Sequence, residues 1–458
     1  MKKLILTFII IHACFRSYSQ QIAWENTIQY NFASSIAELA ADANGNIYAC
    51  GGYSTSYHGT GPQGIFVHKY DSTGGLLWFD TVEVRSSYPT ALVCTGNALY
   101  LAGNSTGGDN KLLQFDSIRL TKPDSAYTSS YLVKYDLEGH VLWAKMFLNV
   151  SNVTCKVVDG EIYFLGRSFA GYLSSGPCSH NFLARYSASD GSYLWSKCLS
   201  VDAAKDMAVF DTNNIFVSVY DYSTASDYIK KYNATGLEVN SNYSSGILID
   251  INSLGNCYSE QGSSIHKLDF NTNLMYDLYV SQHYLSTVYC HQADVYTTGS
   301  YADAGGTHFE GSALIKFSHD TLVYNFPVGA YLTTDVIKSG NNVYVAAYEN
   351  TDNHDALLIK VSEEGATAVK ETGNDPPAIA LFPNPSGSMV TLLYNSAEKQ
   401  DLQLKVTDNE GRQLYSETVK DHGGEYKKEI DLSGCSKGVY TIEIIQGTNR
   451  QVKKVVVN

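Results

Sequence analysis

Short runs of apolar and aromatic residues, separated by turns, recur along most of the chain. The stretch 131–147 shows the repeating unit. Apolar and aromatic residues predict strands over 131–135 and 141–143, and the segment between them predicts a tight turn around Gly139. A single hairpin of this kind is only marginally stable in water, so neighbouring copies must cover it.

Two sequence markers repeat with this unit, and each gives the number of units independently of the other. Each second strand carries an aromatic residue near its start, at Tyr48, Tyr100, Tyr163, Phe216, Tyr258, Tyr296 and Tyr344. Each third strand carries a basic residue, at Lys69, Lys134, Arg185, Lys231, Lys267, Lys316 and Lys360. Fourth strands carry Trp78, Trp143 and Trp195, and then the weaker markers Val239, Tyr276 and Tyr324. Seven units of four strands, with a period of roughly 40 to 50 residues, predict an all-β, seven-bladed β-propeller.

A closed ring explains why the inner strands are apolar at nearly every position. Both faces of each small sheet need cover, and blades around an axis cover every sheet, including the first and the last. The segment 22–28 precedes the first unit but has the pattern of a fourth strand, with Trp24 in the tryptophan position. We expect it to pair beside the strand of Lys360 and to complete blade seven. The competing closure uses residues 366–371 instead.

Insertions between the second and third strands vary in length among the units. They are long at 104–129 and around 174–181, and short in units four and five. Because equivalent insertions lie on one face of a propeller, this face is the expected binding surface.

Composition changes at 371–379, where Pro376 and Pro377 stop any strand from running through. We expect the propeller to span 20–370 and a second domain to span 380–458. Strands predicted at 388–394, 401–408, 412–418, 425–431, 438–445 and 451–457 indicate a small Ig-like antiparallel β-sandwich.

Residues 1–19 have the pattern of a signal peptide. Lys2 and Lys3 precede the apolar run 4–11, and 17–19 provides small residues before a cleavage site near Gln20. A buried first strand is the alternative, and Cys14 as a lipoprotein cysteine is another. No later segment is apolar over the 18 or more positions that a membrane helix needs. Export permits disulfides among the scattered cysteines, and free buried cysteines are an equal alternative.

Charge and motif spacing exclude several kinds of site. The net charge of −14 opposes binding to nucleic acid. No cysteine or histidine spacing fits zinc, so we expect no metal or cofactor site. Asp42, Asn44 and Asn46 alternate as calcium ligands do, but the pattern fits a capped turn better. The motifs at 103–107 and 59–64 spell a nucleophile elbow and a dinucleotide fingerprint, but neither precedes a helix.

The propeller units resemble a known repeat family. The pattern at 42–48, 51–53, 66–71 and 74–78 is similar to the bacterial β-propeller repeat (SBBP) of exported proteins. The resemblance is good in units one to three, moderate in six and seven, and weak in four and five. It implies a fold and an extracytoplasmic setting, and it implies no activity.

The tail resembles a second family. The segments 381–387, 432–440 and 452–457, in this order, are similar to the type A sorting domain of the type IX secretion system of Bacteroidetes. This resemblance implies export through a signal peptide and then the outer-membrane secretion machinery, to the cell surface or the medium. The matching positions that it assigns to the sorting signal are Pro383, Asn384, Pro385, Gly438, Tyr440, Lys453 and Lys454.

These observations favour an exported binding or interaction module for an extracellular ligand, such as a glycan or a protein. The alternative is a secreted hydrolase or lyase that uses carboxylates facing the channel, which sequence spacing cannot locate. A structural surface-layer component is a third hypothesis. Most of the 35 tyrosines are expected in the core, but tyrosines on the loop face would suit sugar rings. The third-strand basic residues are expected to pack their stems along a blade with the charge in water.

Overall fold

Among the residues that the computed structural model describes, all regular elements are β-strands. The structure describes residues 20–30, 33–55, 63–106, 112–123, 126, 128–169, 171–173, 176–178, 180–243, 246–247, 249–280, 283–302, 309–329, 331–349, 354–363, 379–382, 389–408, 412–447 and 449–457. The predicted signal peptide lies outside these residues. Contacts divide the chain into two compact units, Met1–Thr367 and Ala368–Asn458.

The first unit contains seven four-stranded antiparallel sheets, here called blades I to VII. The first strand of the chain, β1 (Gln21–Ile28), belongs to the last blade. Blade I contains β2 (Ala33–Ala41), β3 (Ile47–Ser54), β4 (Gln63–Tyr70) and β5 (Leu76–Glu83). Blade II contains β6 (Ser87–Thr95), β7 (Ala98–Thr106), an inserted hairpin of β8 (Leu112–Phe115) and β9 (Ile118–Thr121), β10 (Thr128–Asp136) and β11 (Val141–Leu148). Blade III contains β12 (Val150–Val158), β13 (Glu161–Ser168), an inserted hairpin of β14 (Gly171–Leu173) and β15 (Gly176–Cys178), β16 (Asn181–Ser187) and β17 (Tyr193–Cys198).

The remaining blades follow the same plan. Blade IV contains β18 (Ala203–Asp211), β19 (Asn214–Asp221), β20 (Ser226–Tyr232) and β21 (Glu238–Tyr243). Blade V contains β22 (Ile249–Ile251), β23 (Cys257–Gln261), β24 (Ser264–Leu268) and β25 (Leu274–Tyr279). Blade VI contains β26 (His283–His291), β27 (Asp294–Ala302), β28 (Phe309–Ser318) and β29 (Thr321–Gly329). Blade VII contains β30 (Tyr331–Ser339), β31 (Asn342–Glu349), β32 (Ala356–Ser362) and β1.

The blades form a closed ring. Each first strand contacts the first strand of the next blade, in the cycle β2, β6, β12, β18, β22, β26, β30 and back to β2. Seven hydrophobic clusters lie between neighbouring blades, one at each interface. Each sheet is therefore covered on both faces, as its apolar inner strands require. The predicted seven-bladed propeller is confirmed.

The segment β1 closes the ring in the predicted way. It pairs antiparallel with β32 over Gln21–Ile28, and Trp24 lies opposite Lys360. This pairing makes the first strand of the chain the outermost strand of the last blade. Since β1 occupies the outer edge of β32, the preferred closure is confirmed. The competing segment 366–371 lies outside the described residues.

The two sequence markers contact one another in every blade. Each third-strand basic residue lies directly opposite the second-strand aromatic residue, and its charged group lies over that ring, as Lys134 does over Tyr100 at 5.4 Å. The same pair recurs in the other six blades. A register irregularity follows the basic residue in all seven blades, and in blade IV the residue opposite Lys231 is Asn240. The predicted marker Val239 was therefore wrong by one position, and its side chain is exposed.

The basic residues also join each blade to the next. Lys134 Nζ donates a hydrogen bond to Ala188 O at 2.7 Å, in the turn after the third strand of blade III. Equivalent bonds to the next blade run from Lys69 to Leu137 O, from Arg185 to Ala234 O, from Lys231 to Phe270 O and from Lys360 to Ser72 O. Lys267 and Lys316 reach the carboxylates of Asp320 and Glu363 instead. The expectation that these charges reach water was wrong for Lys69, Lys231 and Lys267, which are buried. Each of the seven charged groups has an acceptor on the adjacent blade.

At several of these contacts between blades, a turn glycine also packs against a tryptophan of the preceding blade. Gly139 has a φ of +95°, and an added Cβ would lie about 3.0 Å from the ring of Trp78 on the preceding blade. Gly74 and Gly191 approach Trp24 and Trp143 in the same way. Only glycine combines this backbone conformation with so close an approach to an indole.

The two inserted hairpins extend one end of blades II and III. Leu113 and Phe115 of the β8–β9 hairpin are buried in the cluster between blades I and II. A disulfide between Cys178 and Cys198 attaches β15 to the end of β17. Six further described cysteines are free, at Cys50, Cys94, Cys155, Cys257, Cys290 and Cys435. Both alternatives for the cysteines therefore occur in the described residues.

The second unit has its own core and five strands: β33 (Ile379–Phe382), β34 (Met389–Thr407), β35 (Gln413–Asp431), β36 (Gly438–Gln446) and β37 (Asn449–Val457). The first half of β34 pairs with β33 and the end of β35, whereas its second half pairs with β36 and the start of β35. Side chains from both halves share one core, which includes Leu392, Leu404 and Tyr440. This packing fits the predicted Ig-like sandwich, in which two predicted pairs of strands are continuous as β34 and β35.

Candidate functional site

The first strands of all seven blades line a central channel with a volume of about 550 Å³. Four carboxylates from separate blades lie along it: Glu38, Asp206, Asp250 and Asp335. Three lysines also line it, of which Lys205 and Lys338 are paired with Asp227 and Glu363, whereas Lys156 lies among the four carboxylates. Glu38, Asp206 and Asp335 each follow a bulge in the first strand of their blade. The equivalent bulges therefore place acidic residues at matching positions around the axis.

Three of the channel carboxylates brace neighbouring blades. Asp335 Oδ1 accepts the N–H of Val336 at 2.7 Å, and its Oδ2 accepts the N–H of Leu39 on the next blade at 2.7 Å. Asp206 and Asp250 repeat this geometry, each accepting the next residue's N–H and one N–H from the following blade. Both oxygens of each aspartate are therefore occupied by backbone donors.

The charges in the channel perturb one another. Burial raises the pKa of Glu38, and the Asp335 carboxylate raises it further. Burial also raises the pKa of Asp335, which two backbone N–H bonds and the Lys156 ammonium oppose. For Lys156, burial disfavours the charge, but the four carboxylates outweigh burial and raise its pKa. The arrangement holds a charged lysine among anions.

No grouping of three or more histidine, cysteine or acidic side chains suited to a metal ion occurs among the described residues. The alternating Asp42, Asn44 and Asn46 form a capped turn. Asp42 Oδ1 accepts the N–H groups of both asparagines at 2.9 Å, and its Oδ2 accepts the Tyr48 hydroxyl. The carboxylate is thereby occupied by the turn itself.

The motifs at 103–107 and 59–64 match an elbow and a dinucleotide fingerprint in their letters only. Those of their residues that the structure describes lie in strands. Ser105, the serine of the elbow-like motif, is buried within β7 rather than exposed on a turn before a helix. Gly64 of the dinucleotide-like motif lies in β4, and 59–62 lies outside the described residues. The surroundings required for either chemistry are therefore missing at Ser105 and Gly64.

We use the term insertion face for the end of the blades that carries the β8–β9 and β14–β15 hairpins and the connections from one blade to the next. A groove of about 380 Å³ lies there between blades III and IV, and its wall includes Asp202, Tyr220, Tyr228 and Lys230. A second groove, of about 610 Å³, lies between blades VII and I and includes Tyr53 and Tyr348. The sequence indicated this face but gave no signal for either groove.

The predicted sorting residues are partly described. Gly438 begins β36 opposite Val457, and Tyr440 lies opposite Val455 with its side chain in the core. Lys453 lies in β37 and is exposed, and Lys454 occupies the next position of the same strand. In the order of the sheet, β37 is an outer strand beside β36. The predicted opening turn, Pro383, Asn384 and Pro385, lies outside the described residues.

Comparison with known families identifies the tail. Residues 380–458 match the family model described as the secretion system C-terminal sorting domain. A sorting domain of this type IX family marks proteins that are exported to the cell surface or secreted. The predicted localisation is therefore confirmed. Among the curated proteins, none matches the chain significantly. In the part of the chain that the structure describes, no helix is long and apolar enough to span a membrane.

Similar solved structures include a chain of the mitotic checkpoint complex, which is 9% identical over 78% of this chain and 99% of its own, with a TM-score of 0.49. The Pan2 WD40 domain of Neurospora crassa is 8% identical over 77% of this chain and 98% of its own, with a TM-score of 0.49. A protein of unknown function from Bacteroides caccae is 10% identical over 57% of this chain and 89% of its own, with a TM-score of 0.39.

Proposed function

We propose that this protein is an exported binding module whose propeller presents the insertion face to an extracellular ligand at the cell surface or in the medium. The observation that carries the proposal is the combination of a type IX sorting domain at 380–458 with a closed ring of blades. The insertions and both grooves lie on one face of that ring, where surface loops are free to vary without disturbing the blades.

The hydrogen bonds in the channel support binding over catalysis. Each oxygen of Asp206, Asp250 and Asp335 already accepts one backbone N–H group, and one of the two bonds at each aspartate comes from the next blade. These bonds favour a bracing role for the channel aspartates. Glycoside or peptide hydrolysis through these three aspartates would compete with contacts between blades.

Recognition by the secretion machinery is assigned to the tail. We place the sorting signal at Gly438, Tyr440, Lys453 and Lys454, together with the opening turn at 383–385. Tyr440 holds the core side of β36, while exposed Lys453 on the outer strand β37 is accessible to a partner. Replacing Lys453 and Lys454 by alanine should cause retention in the periplasm of a host with a type IX system, whereas Lys427→Ala should not.

The binding face is tested with an inserted epitope and an antibody fragment. The full chain is screened against immobilised oligosaccharides and peptides, and the strongest interaction is then challenged. An epitope inserted after Arg85, on the insertion face, should let the antibody fragment block binding. An epitope inserted after Gly96, in the exposed β6–β7 turn at the opposite end of the blades, should not. Equal blocking at both positions, or no ligand in either class, would refute the proposal.

A further inference from the structure

The groove between blades III and IV combines aromatic and polar side chains in a single wall. Tyr220 and Tyr228 line it and are half-buried. Tyr222 and Tyr243 are not part of its lining, but their rings pack edge-on against Tyr220 and Tyr228, respectively, and 68% and 63% of their surfaces are exposed. Two tyrosine rings therefore line the groove, and two largely exposed rings adjoin them.

The groove also contains both hydrogen-bond acceptors and hydrogen-bond donors. Asp202 and Asp221 supply carboxylate acceptors, and Lys230 and Ser241 supply donors. Asp202 Oδ2 accepts the N–H of Tyr222 at 2.7 Å, which orients the carboxylate and fixes the backbone of that tyrosine. Lys230 forms an ion pair with Glu238 at 3.0 Å, so it adds no uncompensated positive charge. Asp202 and Asp221 therefore leave the groove weakly acidic, which disfavours an anionic ligand.

The wall is also held in place before any ligand arrives. Cys198 lines the groove, and its disulfide to Cys178 ties the blade III insertion to the end of β17. The side chains of Leu199 and Tyr228 pack in the cluster between blades III and IV. A wall that is already ordered loses little conformational entropy on binding.

We infer that this groove binds a neutral oligosaccharide, with sugar rings stacked on the exposed tyrosines and hydroxyl groups bonded to Asp202, Asp221 and Lys230. The ligand class follows from chemistry. Sugar rings present apolar C–H faces to aromatic rings and hydroxyl groups that both donate and accept hydrogen bonds. The volume of about 380 Å³ lies within the range of roughly 300 to 1,000 Å³ usual for small-ligand sites. The inference rests on the proposed function, since it places the ligand on the insertion face of an exported protein.

The test uses the full chain on an array of neutral gluco-, manno-, xylo- and chito-oligosaccharides, with uronic acid oligosaccharides and peptides on the same array. Dissociation constants for the best neutral hexasaccharide are then measured by calorimetry. Tyr222→Ala and Tyr243→Ala should each weaken binding about three- to tenfold, the loss expected for one stacking ring. Asp202→Asn should also weaken binding, because an amide is a weaker acceptor than a carboxylate.

Tyr284→Ala is the matched control, because Tyr284 lies on blade VI and is also 68% exposed. It should leave affinity unchanged. Binding of uronic acid oligosaccharides only, or neutral-sugar binding that the groove variants and the control affect equally, would overturn the inference. Binding of peptides alone would also overturn it while leaving the proposed binding module intact. Absence of binding in every class would overturn both.

Discussion

Replacing Lys134 by methionine tests whether the third-strand basic residues stabilise the contacts between blades. The substitution keeps most of the stem but removes the ammonium group. That group donates to Ala188 O at 2.7 Å and lies 5.4 Å from the centre of the Tyr100 ring. The turn of blade III that it contacts is also held by Tyr100, whose hydroxyl donates to the same carbonyl at 3.0 Å. The carbonyl therefore keeps one partner in the variant.

The expected loss follows from these contacts. A hydrogen bond from a charged donor contributes about 1.5 to 3 kcal/mol, and a cation over an aromatic ring about 0.5 to 2 kcal/mol. Burial opposes the charge and lowers the pKa of Lys134, so part of this gain is already offset in the native protein. We expect a net decrease of about 2 kcal/mol in the free energy of unfolding.

Urea denaturation followed by tryptophan fluorescence measures this change in the propeller alone, because all four tryptophans lie in its blades. Lys197→Met is the matched control, since Lys197 is exposed on the outermost strand β17. The control should change stability by less than about 0.5 kcal/mol. If Lys134→Met costs no more than the control, the proposed joint contributes nothing and the reasoning fails.

Three further predictions concern buried groups. Burial lowers the pKa of His68 to about 4, so the free energy of unfolding should fall by about 3 kcal/mol as the pH falls from 6.5 through 4. His68→Gln should reduce this loss. Burial raises the pKa of Glu260 from 4.5 to about 7, so the folded protein is fully stable with respect to this group below pH 4.5 and loses stability as the pH rises through 7. Glu260→Gln should therefore stabilise the protein at pH 8 by about 2 kcal/mol, after a discount for solvent screening. Replacing Cys178 and Cys198 together by serine should cost about 2 to 4 kcal/mol under oxidising conditions.

Each of these predictions has its own check. Chemical denaturation across pH should show the His68 effect only on the acid side, and an unchanged acid slope in the variant would contradict it. Glu260→Gln should match the native protein at pH 4, and a gain that is equal at pH 4 and pH 8 would exclude titration as its cause. The double serine variant and the native protein should differ little after reduction, and a persistent difference would point to packing of the sulfur atoms instead.

Much of the ring was predictable because its residues repeat. The third-strand basic residue and the second-strand aromatic residue recur in every blade since each blade meets its neighbour in the same way. Trp24 revealed the closing strand because it occupies the tryptophan position of a fourth strand. Val239 misled because blade IV has the polar Asn240 at the position that tryptophan occupies in blades I to III, with an apolar valine beside it.

The candidate sites could not be predicted, since they depend on contacts between distant parts of the chain. Asp335 braces Leu39, which lies 296 positions earlier, and this pair becomes adjacent only when the ring closes. Tyr222 and Tyr243 belong to no repeat, so nothing in the sequence separates them from core tyrosines. The joint made by Lys134 was missed for a similar reason, because its acceptor is a main-chain carbonyl without a side-chain signature.

Closure of the ring by β1 is the claim on which the channel and the insertion face both depend. Gln21 lies opposite Ser362, and facing residues in antiparallel strands lie about 4.5 to 5.5 Å apart, within reach of a disulfide. We predict that a variant with Gln21→Cys and Ser362→Cys forms this intramolecular bond, detected by mass spectrometry of linked peptides. A variant with Gln21→Cys and Glu138→Cys should not form one. Failure of the first pair to link in the folded monomer would contradict the closed ring.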